Sequence, residues 1–78
     1  MTMKPDAVHN FVQDLERNTM FHVDFVTKDE ERRAYYAFLH PAYDVSSDKE
    51  YVVIDTTEGT KSFSKSRVLA MFTVHQYK

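Results

Sequence analysis

Apolar residues at Val8, Phe11, Val12 and Leu15 follow the i, i+3, i+4, i+7 spacing of a single helix face. Pro5 and Asp6 suit the first turn of such a helix, and Arg17 suits its last. The spacing predicts an amphipathic helix over about residues 5–17, with Asn18 as a left-handed stop. A helix of this length does not hold alone, so it must pack on something. From Thr19 the period shortens to two. Phe21, Val23 and Phe25 alternate with His22, Asp24 and Val26, the pattern of a strand with one buried face. After the polar turn Lys28-Asp29-Glu30-Glu31, residues 33–39 read as a second strand. Its two faces are Ala34, Tyr36, Phe38 and Tyr35, Ala37, Leu39, and the short turn makes the pair a hairpin. Residues 40–49 are a loop, since Pro41, Asp44, Ser46, Ser47 and Asp48 disfavour regular structure. Residues 51–55 form a third strand, and the turn over 56–60 carries the chain's one glycine, Gly59. A short fourth strand covers 61–65 with Phe63 inward. One 3₁₀ turn covers 66–69, and a fifth strand runs over 70–76.

This order predicts a single α+β, mainly β domain. The N-terminal helix packs on a five-stranded antiparallel small barrel, which spans about residues 19–77. The expected core is Val8, Phe11, Leu15, Phe21, Val23, Phe25, Phe38, Val53, Phe63, Val68, Phe72 and Val74.

Several short motifs fall in a recognisable order. His22-Val23-Asp24-Phe25-Val26-Thr27-Lys28-Asp29 is followed by Arg32-Arg33, then Val53-Ile54-Asp55, Ser62-Phe63 and Ser66-Arg67-Val68. Over about residues 20–74 this resembles the Sm-like, SH3-like small-barrel proteins found mainly in bacteriophage genomes and related by name to the WYL domain. The turn glycine usual in that family after the aspartate is Glu30 here, which bears on the geometry of the first hairpin. The resemblance implies an SH3/Sm-like barrel and a viral origin, and it implies no catalytic residue.

Composition narrows the chemistry. The chain has 78 residues, enough for one domain and a small core. Its 42% hydrophobic and 14% aromatic content argues against disorder. The absence of cysteine excludes a disulfide scaffold, thiolate metal sites and a cysteine nucleophile. With no long apolar run, neither a membrane span nor a signal peptide is expected. The expected location is cytoplasmic, the host cytoplasm if the protein is viral.

Four histidines, His9, His22, His40 and His75, are the metal-ligand candidates. His22 could meet His75 if the first and last strands pair, but no metalloenzyme spacing is present. The expectation is surface histidines, with no metal and no cofactor. Carboxylates fall in loops or on the polar helix face. A pairing of Ser62, Ser64 or Ser66 with His75 lacks a nucleophile elbow. The protein is expected not to be an enzyme. Nucleic acid is one candidate partner, because small barrels bind single strands through aromatics beside a basic groove. Arg32, Arg33, Tyr35 and Tyr36 cluster on one strand, and Lys61, Lys65 and Arg67 on another. Against this, 10 basic residues face 12 acidic ones, and phosphate binding draws on basic patches. The competing reading pairs Arg32 and Arg33 with Glu30 or Glu31 and places the tyrosines in the barrel wall.

A protein is the other candidate partner. The apolar strand over 68–74 would be a docking or dimerisation surface at a sheet edge. Tyr35, Tyr43, Tyr51 and Tyr77 are of a type enriched at interfaces. The leading expectation is therefore a non-enzymatic module, a bacteriophage accessory protein that binds and modulates a host protein. The alternatives are an Sm-like single-stranded RNA or DNA regulator and an oligomeric sponge for a nucleotide signal. A homodimer fits the small core. The candidate binding residues are Arg32, Arg33, Tyr35, Tyr43, Tyr51, Lys61, Lys65 and Arg67.

Overall fold

A computed structural model describes residues 2–16 and 18–74. Its elements in chain order are α1 (Pro5–Asp14), β1 (Phe21–Val26), β2 (Arg32–Leu39), β3 (Tyr51–Thr56), β4 (Gly59–Ser64), a 3₁₀ turn (Lys65–Arg67) and β5 (Val68–Thr73). Pro5 opens α1 as its spacing predicts, and Val8 and Val12 form the buried stripe. The helix is shorter than expected. Leu15 turns extended (ψ 126°), and its N–H donates to the Val12 carbonyl at 3.3 Å. Asn18 does adopt a left-handed φ of 67°, but in the turn after the helix, where Thr19 N–H donates to Glu16. Arg17, the expected C-terminal cation, lies outside the described residues. Phe11 docks the helix by meeting Phe21 edge-on, with centroids 6.1 Å apart.

The five strands form one antiparallel sheet in the order β4-β3-β2-β1-β5. The sheet is strongly curled. Phe25 on β1 and Phe63 on β4 stack with centroids 5.3 Å apart. In a flat sheet, strands three places apart lie about 14 Å from each other. The concave face holds the core: Phe21, Val23, Phe25, Ala37, Val52, Ile54, Phe63 and Val68, with Val8, Val12 and Tyr43 packed on it. Closure into a barrel is not found. β4 and β5 remain the two edges, with no ladder between them among the described residues.

Three core expectations need correction, Phe38, Phe72 and Val74, while Phe11, Leu15 and Val53 pack on the core from half-buried positions. Phe72 is 52% exposed, and Phe38 and Val74 are only half-buried and outside the core cluster. Val53 packs on the core from a half-buried position, while its neighbours Val52 and Ile54 are fully buried. The cause in β5 is a bulge. Val68 lies opposite Phe25 and Ala70 opposite Asp24, so Leu69 is an extra residue. That offset sends Met71 inward and Phe72 outward. The 3₁₀ turn starts one residue earlier than predicted, which takes Lys65 out of β4. The final strand starts earlier too, at Val68, and the predicted positions 75 and 76 lie outside the described residues.

The first hairpin closes without a glycine. Glu30 itself takes φ 64°, with its N–H donating to the Thr27 carbonyl at 2.9 Å. A side chain at such a φ is strained. Glu30→Gly is therefore expected to raise stability by about 0.5–1 kcal/mol, seen as a higher urea midpoint with an unchanged slope.

Candidate docking face of the sheet

The predicted basic and aromatic cluster is not assembled. Tyr35 and Tyr36 are neighbours on a strand, so they take opposite faces. Tyr35 points to the core and packs on Phe25 at 6.0 Å. Tyr43 is buried, and Lys61 is half-buried opposite Ile54. Lys65 is only 5% exposed. Its ammonium donates to the Ser47 carbonyl at 3.0 Å and meets His9 Nδ1 at 3.2 Å. An ammonium only donates, so His9 is the acceptor there.

The two arginines are paired. Arg32 clamps Asp24 across the hairpin, with Nε 3.0 and 3.1 Å from the two carboxylate oxygens and a further bond from its terminal nitrogen. Hydrogen bonding to Arg32 holds the Asp24 carboxyl below the usual range and raises the guanidinium in return. Arg33 pairs with Glu31, as the competing reading expected, whereas Arg32 chose Asp24 rather than a turn glutamate. Arg67 is exposed and donates to the Thr27 carbonyl at 3.3 Å.

Tyr51 is the candidate that joins others. It lines a cavity of about 290 Å³ with Arg67, Lys28 and Phe63. It also borders a second cavity, of about 690 Å³, with Tyr43, His40 and Lys49. Burial, then the neighbouring Asp44 carboxylate, pushes the Tyr43 phenol up.

Glu50 fastens the loop to the 3₁₀ turn. It accepts from the Ser64 hydroxyl, from the Ser66 N–H at 3.0 Å and from the Ser66 hydroxyl at 2.8 Å. These bonds, Ser64's first, hold its carboxyl below the usual range. Asp24 and Glu50 therefore titrate lower in the folded chain than in the unfolded one. Their stabilisation is complete above the unfolded value of about 4 and is lost as pH falls through the folded values. The melting temperature is expected to fall on acidification below about pH 4, and Glu50→Gln should flatten that decline.

The feature missed in the sequence lies on the convex face. In the strand registers His22 stands opposite both Tyr36 and Phe72, so the three form one row across β2, β1 and β5. The His22 ring sits edge-on to Tyr36 with centroids 4.8 Å apart and stacks on Phe72 at 5.0 Å. Tyr36 is 59% exposed. The adjacent row is Ala34, Asp24 and Ala70, two methyl groups flanking the carboxylate that Arg32 clamps. The result is a shallow step below a wall of rings. His22 Nδ1 is buried behind that wall, with no partner among the described residues. Alternation along β1 and β2 does place His22 and Tyr36 outward. Only the β1–β5 pairing brings in Phe72, and that pairing is long-range.

Among the described residues no group of three or more metal-ligating side chains forms, and no helix is long and apolar enough to cross a membrane. His75, the partner considered for His22 and for the serines, lies outside the described residues. No family model, curated protein or solved structure matches the chain.

Proposed function

We propose that this protein is a non-enzymatic binding module that docks a host protein on the convex face of its sheet. The observation that carries this reading is the exposed row Tyr36–His22–Phe72 above the Ala34–Ala70 step. Aromatic anchors held by neighbouring rings are the usual centres of protein interfaces. The complementary partner surface is an aliphatic or aromatic side chain that drops onto the alanine step and is walled by the rings. The finer SH3/Sm-like assignment is part of the proposal. The strand order, the 3₁₀ turn between β4 and β5 and the curl that brings Phe25 onto Phe63 support it. The motif resemblance supports a bacteriophage accessory protein acting on its host.

The same rings would also stack nucleobases, which keeps a single-strand nucleic-acid reading as the alternative. Charge favours the protein. Arg32 and Arg33 are each paired with a carboxylate, and Lys65 is buried, so the phosphate-binding complement has shrunk. Capture from nuclease-treated bacterial lysate separates the readings. Wild type and Arg33→Ala should retain the same protein. Tyr36→Ala should weaken that retention about thirtyfold, the loss of an anchor worth about 2 kcal/mol. Ala34→Glu should abolish it by filling the step. Retention that survives both substitutions, or that disappears with nuclease, would remove this reading.

A further inference from the structure

We infer that β5 is an edge through which two copies of this chain pair, antiparallel, about a two-fold axis centred on Phe72. The backbone supplies the register. Val74 N–H donates to the Met20 carbonyl of the β1 side at 2.9 Å. Alternation along a strand then turns the backbone groups of Phe72 toward β1 and those of Met71 and Thr73 toward the free edge. Those edge groups have no hydrogen-bond partner among the described residues. The start of β5 is already covered, because Met3 N–H donates to the Val68 carbonyl at 2.7 Å. Among the described residues, the C-terminal half of the strand is the open part.

A two-fold axis at Phe72 sets Met71 opposite the second copy's Thr73, and Thr73 opposite its Met71. Both are hydrogen-bonding positions, so the register satisfies every open donor and acceptor of this stretch. It also makes Phe72 a non-hydrogen-bonded pair with itself, the arrangement in which facing side chains approach most closely. Phe72 is 52% exposed in the single chain and would be covered by its own copy.

Charge allows this pairing. Val-Leu-Ala-Met-Phe-Thr contains no charged residue and no proline, so a second copy meets no like charge and no missing donor. The opposite edge, β4, carries Lys61, and a lysine on an edge strand disfavours pairing. Pairing through β5 would also extend the ring row from Tyr36–His22–Phe72 to twice its length, spanning both copies. Self-pairing through β5 requires no host partner, since the strand edge alone supplies the hydrogen-bonding groups.

Sedimentation equilibrium over a wide concentration range tests it. Wild type is expected to approach twice the 9.2 kDa of the single chain. Because position 72 meets itself, Phe72→Lys and Phe72→Glu should each be monomeric, and an equimolar mixture of the two should recover the dimer. Phe72→Ala should weaken self-association about tenfold, the worth of one aromatic pair. Thr73→Pro removes only an edge-facing N–H, so it should weaken the dimer while leaving the β1 ladder and the far-ultraviolet spectrum intact. Tyr36→Ala should leave the dimer unchanged, which separates this interface from the docking step. A wild type that stays monomeric overturns the inference. So does a dimer that persists in both charged variants, or a charged mixture that stays monomeric.

Discussion

Phe63→Ala is expected to cost about 3–5 kcal/mol and to leave a large part of the protein unfolded. The ring is 2% exposed and stacks on Phe25, three strands away in sheet order. It also lies opposite Val52 in the β3–β4 ladder. It is thus the seam on which the β4 end of the sheet folds over β1. Truncation removes buried apolar surface and leaves a void that the curled sheet cannot close without losing that seam. A chain of this length has about 4–12 kcal/mol in total, so the loss is comparable with the whole. Urea unfolding followed by circular dichroism reads it directly. Phe72→Ala is the control: the same truncation at a half-exposed ring should cost the single chain well under half as much.

Lys65→Ala is expected to cost about 2–3 kcal/mol, the second largest effect. In sequence this residue looks like part of a basic stripe with Lys61 and Arg67. In the fold it is a buried tie. Its ammonium reaches His9 on α1 and the Ser47 carbonyl of the loop, and its stem is packed away from water. Alanine leaves two acceptors without a donor and opens a gap where the stem lay. Lys65→Met restores the stem but not the donors, so it should recover about half of the loss. Hydrogen exchange should show the amides of α1 losing protection first, because the tie holds that helix. Arg67→Ala, at an exposed side chain two residues on, should change stability by no more than about 0.5 kcal/mol.

The contrast between Lys65 and Arg67 shows where sequence reading stops. The face of α1 was legible because Val8 and Val12 fall at helical spacing. β1 was legible because Phe21, Val23 and Phe25 alternate, and the glycine turn because Gly59 takes φ 103°. All of these are local. The parity of β5 was not legible, since it depends on a bulge at Leu69 that exists only against β1. Phe72 was therefore expected inside and stands outside. Val52, Val53 and Ile54 are all β-branched, so composition could not say which face is buried. Tyr43 enters the core from an irregular loop with no period to reveal it. The candidate site suffered most. A cluster of like residues along a sequence reports their spacing, whereas a binding face is made by strands that are distant in sequence. Tyr36 and His22 were in view, but their common row with Phe72 required the strand order.

The convex face, rather than the Arg33–Glu31 end of the hairpin or the Arg67 cavity, is expected to receive the partner. Amide resonance mapping of the isotope-labelled protein, titrated with the partner recovered from lysate, tests it most directly. Shifts are expected to centre on His22, Ala34, Tyr36 and Ala70, to survive high salt, to need about thirtyfold more partner in Tyr36→Ala, and to vanish in Ala34→Glu. Shifts confined to residues 28–33 and Arg67, or shifts produced by an oligonucleotide and erased by salt, would contradict it.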